Sequence, residues 1–185
     1  MLASASPRRL ALLAQIGIIP DQVISPKIDE SPKRGEIPRL LAERLARAKA
    51  EALAGAGALV LAADTVVAVG RRILPKPETE GEGRFCLDLL SGRRHRVLTA
   101  IVLAAPGGGR SERVVQSVVA FARLSEPQKA AYLAEGEWRG KAGGYAIQGR
   151  AAAYIRFVSG SYSNVVGLPL FETAQLLRGV GWLVP

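Results

Sequence analysis

The 185-residue sequence is poor in the residues that several classes of protein need. Its single cysteine, Cys86, excludes an intramolecular disulfide, which fits a reducing compartment such as the cytoplasm. Its single histidine, His95, is too few for a histidine metal site, and no cysteine–histidine arrangement indicates thiol catalysis. Aromatic residues make up only 5% of the chain, which disfavours the stacking surface that single-stranded nucleic acids prefer.

Long apolar runs and the common nucleotide-binding loops are also missing. The longest apolar runs, such as ALVLAA at 58–63, are far shorter than the roughly 20 residues that span a bilayer. We therefore expect a cytoplasmic protein with no membrane partner. Neither GxxxxGK[ST] nor a GxGxxG after a strand occurs, which disfavours a P-loop or Rossmann enzyme.

Positive charge is what the sequence has in excess. Twenty-five Lys and Arg against 16 Asp and Glu give a formal charge of +9, which attracts nucleotides, polyphosphates or nucleic acid. Hydrophobic residues make up 49%, and no repeat or low-complexity linker interrupts the chain, so residues 1–185 are predicted to form a single domain. A basic protein that binds nucleic acid or regulates without turnover is the alternative to an enzyme.

The order of predicted elements favours an α/β fold with a mixed sheet. Helical spacing predicts helices, and β-rich runs predict strands. The later helices are predicted at 38–54, 78–90, 127–135 and 169–178, and the strands at 22–25, 57–64, 95–105, 112–124 and 151–158. Residues 65–74 are predicted to form a strand, a turn and a second strand. The two longest strands are joined by PGGGRS, so they should pair antiparallel, which argues against a doubly wound parallel sheet.

The segment SASPRRLALLAQIG, residues 4–17, predicts the first helix. Ser6 suits the N-cap, Pro7 the first turn and Gly17 the C-terminal end. The residues predicted to form its buried stripe are Leu10, Leu13 and Ala14. Only three residues precede Ser4, so the first strand would be short, as in a chain whose natural start lies slightly upstream.

Two arginines, Arg8 and Arg9, fall in the first turn of this helix. The helix dipole is positive there and disfavours cations, so helix stability does not account for them. Free N–H groups and two guanidinium groups instead favour an anion, above all a phosphate. A pair of solvated surface arginines remains the alternative interpretation.

Carboxylates stand at two places where they could support catalysis. Asp64 ends the apolar run 57–64, and a carboxylate at the end of a buried strand opens into the crevice where α/β proteins bind ligands. It could hold a divalent metal or accept a proton from water, or merely begin a turn. Asp29 and Glu30 in the sequence IDES add carboxylates, or form an ordinary acidic loop.

Further cations and one amide are candidates for substrate contacts. Lys49 lies among apolar neighbours on a predicted helix, and Lys76 stands between two prolines that stiffen its loop, although lone lysines are mostly solvated. The segment 136–149 contains five glycines and is predicted to be irregular. It carries Lys141 and Gln148, whose amide can both donate to and accept from the edge of a pyrimidine ring.

Eight segments in the same order resemble the Maf family of nucleoside triphosphate pyrophosphatases. They are LASASPRR (2–9), DES (29–31), LARAKAEA (45–52), ADTVV (63–67), KP (76–77), LSGRRHRVLT (90–99), KAGGYAIQG (141–149) and GSYSNVVGLPL (160–170). The resemblance covers essentially the whole chain. It implies an elongated mixed-sheet α/β fold with a deep cleft, similar to that of inosine triphosphate pyrophosphatases.

The resemblance also implies an activity and a set of residues. The enzyme would cut nucleoside triphosphates between the α and β phosphates, releasing a nucleoside monophosphate and pyrophosphate with a divalent metal. Asp64 matches the family's proton acceptor. Arg8, Thr65 and Gln148 match the positions that tune substrate choice, and they are the residues of the subgroup for dTTP and UTP rather than of the one for 7-methyl-GTP.

The sequence-based hypothesis assigns each candidate a role. Glu30 and Asp64 would hold Mg²⁺, Mn²⁺ or Co²⁺ against the triphosphate, and Asp64 would also deprotonate the attacking water. The cations that would neutralise the phosphates are Arg8, Arg9, Lys49 and Lys76. Ser6, Thr65, Lys141 and Gln148 complete the substrate-binding set. A homodimer is expected from the family, and no stable complex with nucleic acid is expected.

Overall fold

The structure, a computed structural model, describes residues 1–55 and 57–182, so residues 56 and 183–185 of the predicted domain lie outside the described part. Within it the helices are α1 (Pro7–Gln15), α2 (Pro38–Glu51), α3 (Glu80–Leu90), α4 (Glu126–Ala134), α5 (Tyr162–Val166) and α6 (Leu170–Gly179). The strands are β1 (Leu2–Ala3), β2 (Val23–Ile24), β3 (Val60–Val69), β4 (Arg72–Leu74), β5 (Arg94–Ala104), β6 (Arg110–Phe121) and β7 (Ile155–Ser159). Two 3₁₀ turns cover Ala142–Gly144 and Arg150–Tyr154.

The described strands form one mixed sheet in the order β2-β1-β3-β5-β6-β7, with β4 paired to β3. Strand β1 is parallel to both β2 and β3, whereas the β3–β4, β3–β5, β5–β6 and β6–β7 pairs are antiparallel. The predicted mixed α/β fold and the antiparallel pairing of the two longest strands are therefore confirmed. None of the helices in the described residues has the length and apolar composition needed to cross a bilayer.

Alternation along β3 divides its side chains between two layers of core. Successive side chains of a strand point to opposite faces. Val60 and Ala62 pack in a cluster with Leu41 and Leu45 of α2. The intervening residues pack in a second cluster with side chains of α1 and α6; its members on β3 and these helices are Leu61, Ala63, Leu12, Leu13, Leu176 and Leu177. Continued along the strand, this alternation assigns Asp64 to the α2 face and Thr65 to the opposite face.

Several sequence-based boundaries were wrong. Strand β3 runs on through Val69, because β5 pairs with it from Val60 to Ala68, so Asp64 lies in the middle of the strand and not at its carboxyl end. Residues 151–154 are a 3₁₀ turn and not strand, helix α5 was missed, and α2 stops at Glu51.

The buried stripe predicted for α1 was right for Leu13 but wrong for Leu10 and Ala14. Leu10 is 38% exposed and Ala14 is exposed, whereas the buried side chains of this helix are Arg9, Leu12 and Leu13. The helix is thus rotated so that an arginine points inward. That orientation has a polar cause, because the inward guanidinium is held by three hydrogen bonds.

Candidate active site

The candidate site opens where the sheet is incomplete beside β3. On one edge of β3, pairing with β1 ends at Ala62 and pairing with β4 begins at Val67. Between these two points residues 63–66 have β5 as their one strand neighbour in the described part of the chain. The polypeptide leaving β1 turns there into α1. A cavity of about 310 Å³ occupies the opening.

This cavity brings together the residues predicted from distant parts of the sequence. All the predicted site residues except Asp64 line it, namely Ser6, Arg8, Arg9, Glu30, Lys49, Thr65, Lys76, Lys141 and Gln148. The volume lies at the lower end of the range of small-molecule sites, and the lining is strongly cationic. The geometry therefore favours a compact, anionic ligand.

Two lysines and two carboxylates form a hydrogen-bonded cluster at one wall of the cavity. Lys49 Nζ, on α2, lies 2.6 Å from both Glu30 Oε1 and Asp64 Oδ1. Lys76 donates to Glu30 Oε2 and lies 3.9 Å from Asp64 Oδ1. Lys49 is buried, and these carboxylates compensate its charge. Helix α2, strand β3 and the loops carrying Glu30 and Lys76 meet at the sheet opening and bring these four side chains together.

The lysines keep Glu30 ionised. Its partial burial would raise the pKa, but hydrogen bonds from Lys49 and Lys76 and their charges outweigh that effect and lower the pKa of Glu30 to about 2. The Glu30 and Asp64 carboxylates suit a hard divalent cation, since Mg²⁺ is commonly held by one or two carboxylates together with phosphate oxygens of the substrate. No cluster of three or more acidic, histidine or cysteine ligands occurs among the described residues. A cation held here would complete its coordination with oxygens from water or a bound phosphate.

Asp64 is the most deeply buried member of this cluster. It is 1% exposed and borders a second cavity, of about 490 Å³, which shares Glu30, Thr65, Lys76 and Ala142 with the first. The sequence-based interpretation placed Asp64 in the main crevice. It lies instead on the α2 face of the sheet, in the lining of the second cavity, and is bonded to Lys49.

Arg9 is a second buried cation of the site. Its Nε donates to Gly167 O at 2.8 Å, one terminal nitrogen to Ser4 Oγ at 3.1 Å, and the other to Thr65 Oγ1 at 3.2 Å. All three acceptors are neutral, and burial lowers the pKa of the Arg9 guanidinium. A buried charge without a bonded counter-charge is costly, so an anion in the cavity would be favoured electrostatically. The alternative that Arg9 is a solvated surface residue is wrong.

Ser6 stands where the sequence predicted the N-cap of α1, but its side chain does not cap the helix. Ser6 occupies the N-cap position, yet its side chain makes no capping hydrogen bond; its backbone N–H donates instead to Ser4 Oγ at 3.1 Å. This leaves the Ser6 hydroxyl at the cavity wall. Arg8 is partly buried beside it, and burial lowers the pKa of its guanidinium. Sequence reasoning missed Ser4 and Gly167, whose signals were their places in SASPRR and GSYSNVVG.

The glycine-rich segment 136–149 covers the other side of the cavity and is held by Glu137. Lys141 Nζ donates to the Glu137 backbone carbonyl. The Glu137 carboxylate accepts from the Arg150 N–H at 3.3 Å and from the Tyr132 hydroxyl at 3.1 Å. One residue therefore fastens both ends of the stretch that carries Lys141 and Gln148. Gln148 itself is exposed at the cavity.

The two residues that sequence analysis set aside are both interior. His95 Nε2 is 2.7 Å from the Tyr145 hydroxyl, and burial lowers the pKa of His95 to about 4, so the ring is neutral near pH 7. Burial raises the pKa of the Cys86 thiol to about 12, so Cys86 is not a thiolate nucleophile. Their positions leave the carboxylates as the groups able to accept a proton at the cluster.

Comparison with known proteins gives consistent matches along the chain. A family model described as Maf-like protein matches residues 1–180. A dTTP/UTP pyrophosphatase of Granulibacter bethesdensis is 62% identical, covering 98% of this chain and 93% of that protein. Proteins of the same name from Gluconobacter oxydans and Paramagnetospirillum magneticum are 64% and 62% identical, covering 97% and 98% of this chain and 85% and 97% of those proteins. Among solved structures, the Ham1 protein of Staphylococcus aureus aligns with a TM-score of 0.45 and 18% identity, over 70% of this chain and 88% of that one.

Proposed function

The chain belongs to the Maf-like protein family, and on that premise we propose that it is a pyrophosphatase that hydrolyses dTTP and UTP between the α and β phosphates. The products are a nucleoside monophosphate and pyrophosphate. Relatives that are more than 60% identical, and that this chain matches over nearly their whole length, are named dTTP/UTP pyrophosphatase. Their name supports this substrate class.

One observation carries the proposal: a buried arginine, bonded to neutral oxygens within the described residues, lines a cavity that also holds the Glu30 carboxylate. Arg9 favours an anion, and Arg8 and Lys141 add two further cations to the cavity lining. Glu30 and Asp64 supply the acidic groups that triphosphate hydrolysis requires. A purely nucleic-acid-binding surface has no need of such an enclosed mixture of charges.

The residues divide the reaction between them. A water molecule attacks phosphorus, the P–O bond that joins the α and β phosphates breaks, and Asp64 accepts the proton of the water. Lys49 fixes the Asp64 carboxylate by its 2.6 Å hydrogen bond. Lys49 and Lys76 stabilise the charge that develops on the pyrophosphate leaving group. Ser6, Arg8 and Arg9 bind the phosphates from the start of α1.

Glu30 and Asp64 are the residues that would hold a divalent cation, Mg²⁺, Mn²⁺ or Co²⁺. When bound, such a cation would neutralise negative charge on the leaving group. In the structure Lys49 pairs with both carboxylates, and Lys76 pairs with Glu30.

Recognition of the base and sugar is assigned to cavity residues outside the carboxylate–lysine cluster. We propose that Gln148 pairs with the edge of the pyrimidine and that Arg8 and Thr65 refine the choice of nucleotide. We further propose that residues 1–185 act as one domain, in the cytoplasm, as a homodimer.

The test is a screen of the common nucleoside triphosphates for pyrophosphate release, with and without Mg²⁺, Mn²⁺ or Co²⁺. We expect metal-dependent release from dTTP and UTP at rates well above those from purine triphosphates. Absence of release from every triphosphate, combined with nucleic-acid binding that weakens steeply with salt, would refute the proposal in favour of a basic binding protein.

A further inference from the structure

A buried threonine outside the cavity lining, Thr99 on β5, contacts the substrate-facing Thr65. The two residues are directly opposite each other in the β3–β5 register, and their hydroxyl oxygens are 2.9 Å apart. Thr99 is fully buried, and its hydroxyl donates to Asn164 O at 3.1 Å. Thr99 thus links the wall of the cavity to helix α5.

Counting protons fixes the direction of this chain of hydrogen bonds. A threonine hydroxyl has one proton to donate and two lone pairs to accept with. The carbonyl of Asn164 can only accept, so the Thr99 proton goes to it. The Thr65 proton then goes to Thr99 Oγ1 at 2.9 Å and not to Gly167 O, because Gly167 O is 3.5 Å away, beyond the usual O–H···O distance, and already accepts from Arg9. Arg9 donates to Thr65 Oγ1 at 3.2 Å and occupies one of its lone pairs. Thr65 is left with one acceptor site, and its own proton is already used.

The terminus of the chain of bonds is itself held rigidly. The Asn164 side-chain amide donates to Val97 O at 3.2 Å and to Ser117 Oγ at 2.9 Å. Ser117 in turn donates to Ser161 O and accepts from the Ser161 N–H, both at 3.0 Å. The segment GSYSNVVG therefore docks α5 on β5 and β6, and its carbonyl at residue 164 cannot readily turn away.

We infer that Thr99 is a positioning residue that makes Thr65 a hydrogen-bond acceptor toward the substrate by taking its hydroxyl proton. This inference rests on the proposed function. The group recognised is an O–H or N–H donor of the nucleotide, which has two sources: the 3′-hydroxyl of the sugar and the imide N3–H of uracil or thymine. A nucleotide that offers a donor at that point is selected over one that does not.

The test compares UTP with 3′-deoxy-UTP, which lacks the hydroxyl, and with N3-methyl-UTP, which lacks the imide proton. For the wild-type protein we expect one analogue to lose about tenfold or more in kcat/KM, as for an unmade hydrogen bond. Thr99→Val removes the nearer internal acceptor, leaves only the long 3.5 Å contact with Gly167 O among the described residues, and so frees the Thr65 proton to point into the cavity. The discrimination should then fall to about twofold, and Thr99→Ser should restore it.

Thr173→Val is the matched control. Thr173 is also fully buried, and its hydroxyl donates to a carbonyl, Pro169 O at 2.8 Å, but within α6. It reports the cost of losing such a bond and should retain the wild-type discrimination. A Thr99→Val protein with unchanged discrimination, or a wild type indifferent to both analogues, overturns the inference.

The same ratios are measured as dissociation constants without metal, so that they do not depend on turnover. Binding that discriminates as expected without any pyrophosphate release would overturn the proposed function and support the role of Thr99. Release of pyrophosphate with no effect of Thr99→Val on either ratio would support the proposed function and overturn the role of Thr99.

Discussion

Replacing Asp64 with asparagine separates catalysis from stability. The side chain is 1% exposed, and the asparagine has nearly the same size, so packing should be retained. The amide oxygen can still accept from Lys49, which lies 2.6 Å from Asp64 Oδ1 and keeps Glu30 as an ionised partner. The variant weakens the bond from Lys49, removes the 3.9 Å ion pair with Lys76 and one proposed cation-binding carboxylate, and loses the proton acceptor.

The weakened bond is measured as a change in Tm, and the lost proton acceptor as a change in kcat. Weakening a charge-assisted bond to a neutral one costs about 1–2 kcal/mol, which for a chain of this length is a decrease in Tm of about 2–8 °C. Loss of general-base catalysis lowers kcat about 100-fold or more, equivalent to about 2.7 kcal/mol of transition-state stabilisation. We therefore expect a folded protein with nearly no turnover.

The assay is pyrophosphate release from dTTP and UTP together with thermal unfolding. Asp88→Asn is the matched control, because Asp88 also pairs with a lysine, Lys129, but lines neither the main cavity nor the second cavity that Asp64 borders. It should show a modest change in Tm with normal kcat. A folded Asp64→Asn protein whose kcat is within a few-fold of the wild type would refute Asp64 as the proton acceptor.

Three further predictions concern recognition, pH and backbone packing. Gln148→Ala should lower kcat/KM for dTTP and UTP about tenfold and reduce discrimination against GTP, whereas an equal decline for dTTP, UTP, CTP and GTP would contradict base recognition. Because the pKa of Glu30 is lowered from 4.5 to about 2, its stabilising contribution is complete above pH 4.5 and lost as the pH falls toward 2; unfolding of Glu30→Gln should lack this part of the pH dependence. Gly149→Ala places a methyl group onto the Glu137 carboxylate and should destabilise the protein by about 1–3 kcal/mol, while Gly81→Ala, in open space on α3, should be neutral or stabilising in the same thermal unfolding assay.

The sequence was sufficient to predict the mixed sheet because its strongest signals are local. The β-branched runs of β5 and β6 and the turn between them specify an antiparallel pair without help from the rest of the chain. The position of Asp64 within its strand does not depend on local sequence signals. An apolar run that stops at a carboxylate looks like the end of a strand, but β5 supplies hydrogen bonds that carry β3 five residues further.

The orientation of α1 could not be derived from its apolar pattern. Leucine spacing favoured a stripe with Leu10, yet the helix turns Arg9 inward because Ser4, Thr65 and Gly167 hold its guanidinium. These partners lie up to 158 positions away in the sequence, and only the folded sheet places them together. The role inferred for Thr99 was hidden for the same reason, since a threonine in a core strand carries no local sign of what it faces.

The two walls of the cavity come from different parts of the chain. Glu30, Lys49 and Thr65 are supplied by the N-terminal half, through the loop before α2, α2 and β3, whereas Lys141 and Gln148 belong to one later loop anchored on Glu137. On the proposed function, mutation of that loop can exchange one preferred nucleobase for another while the groups that cleave the phosphate chain stay as they are. Such a division would let gene duplicates within a lineage diverge in substrate without passing through an inactive ancestor.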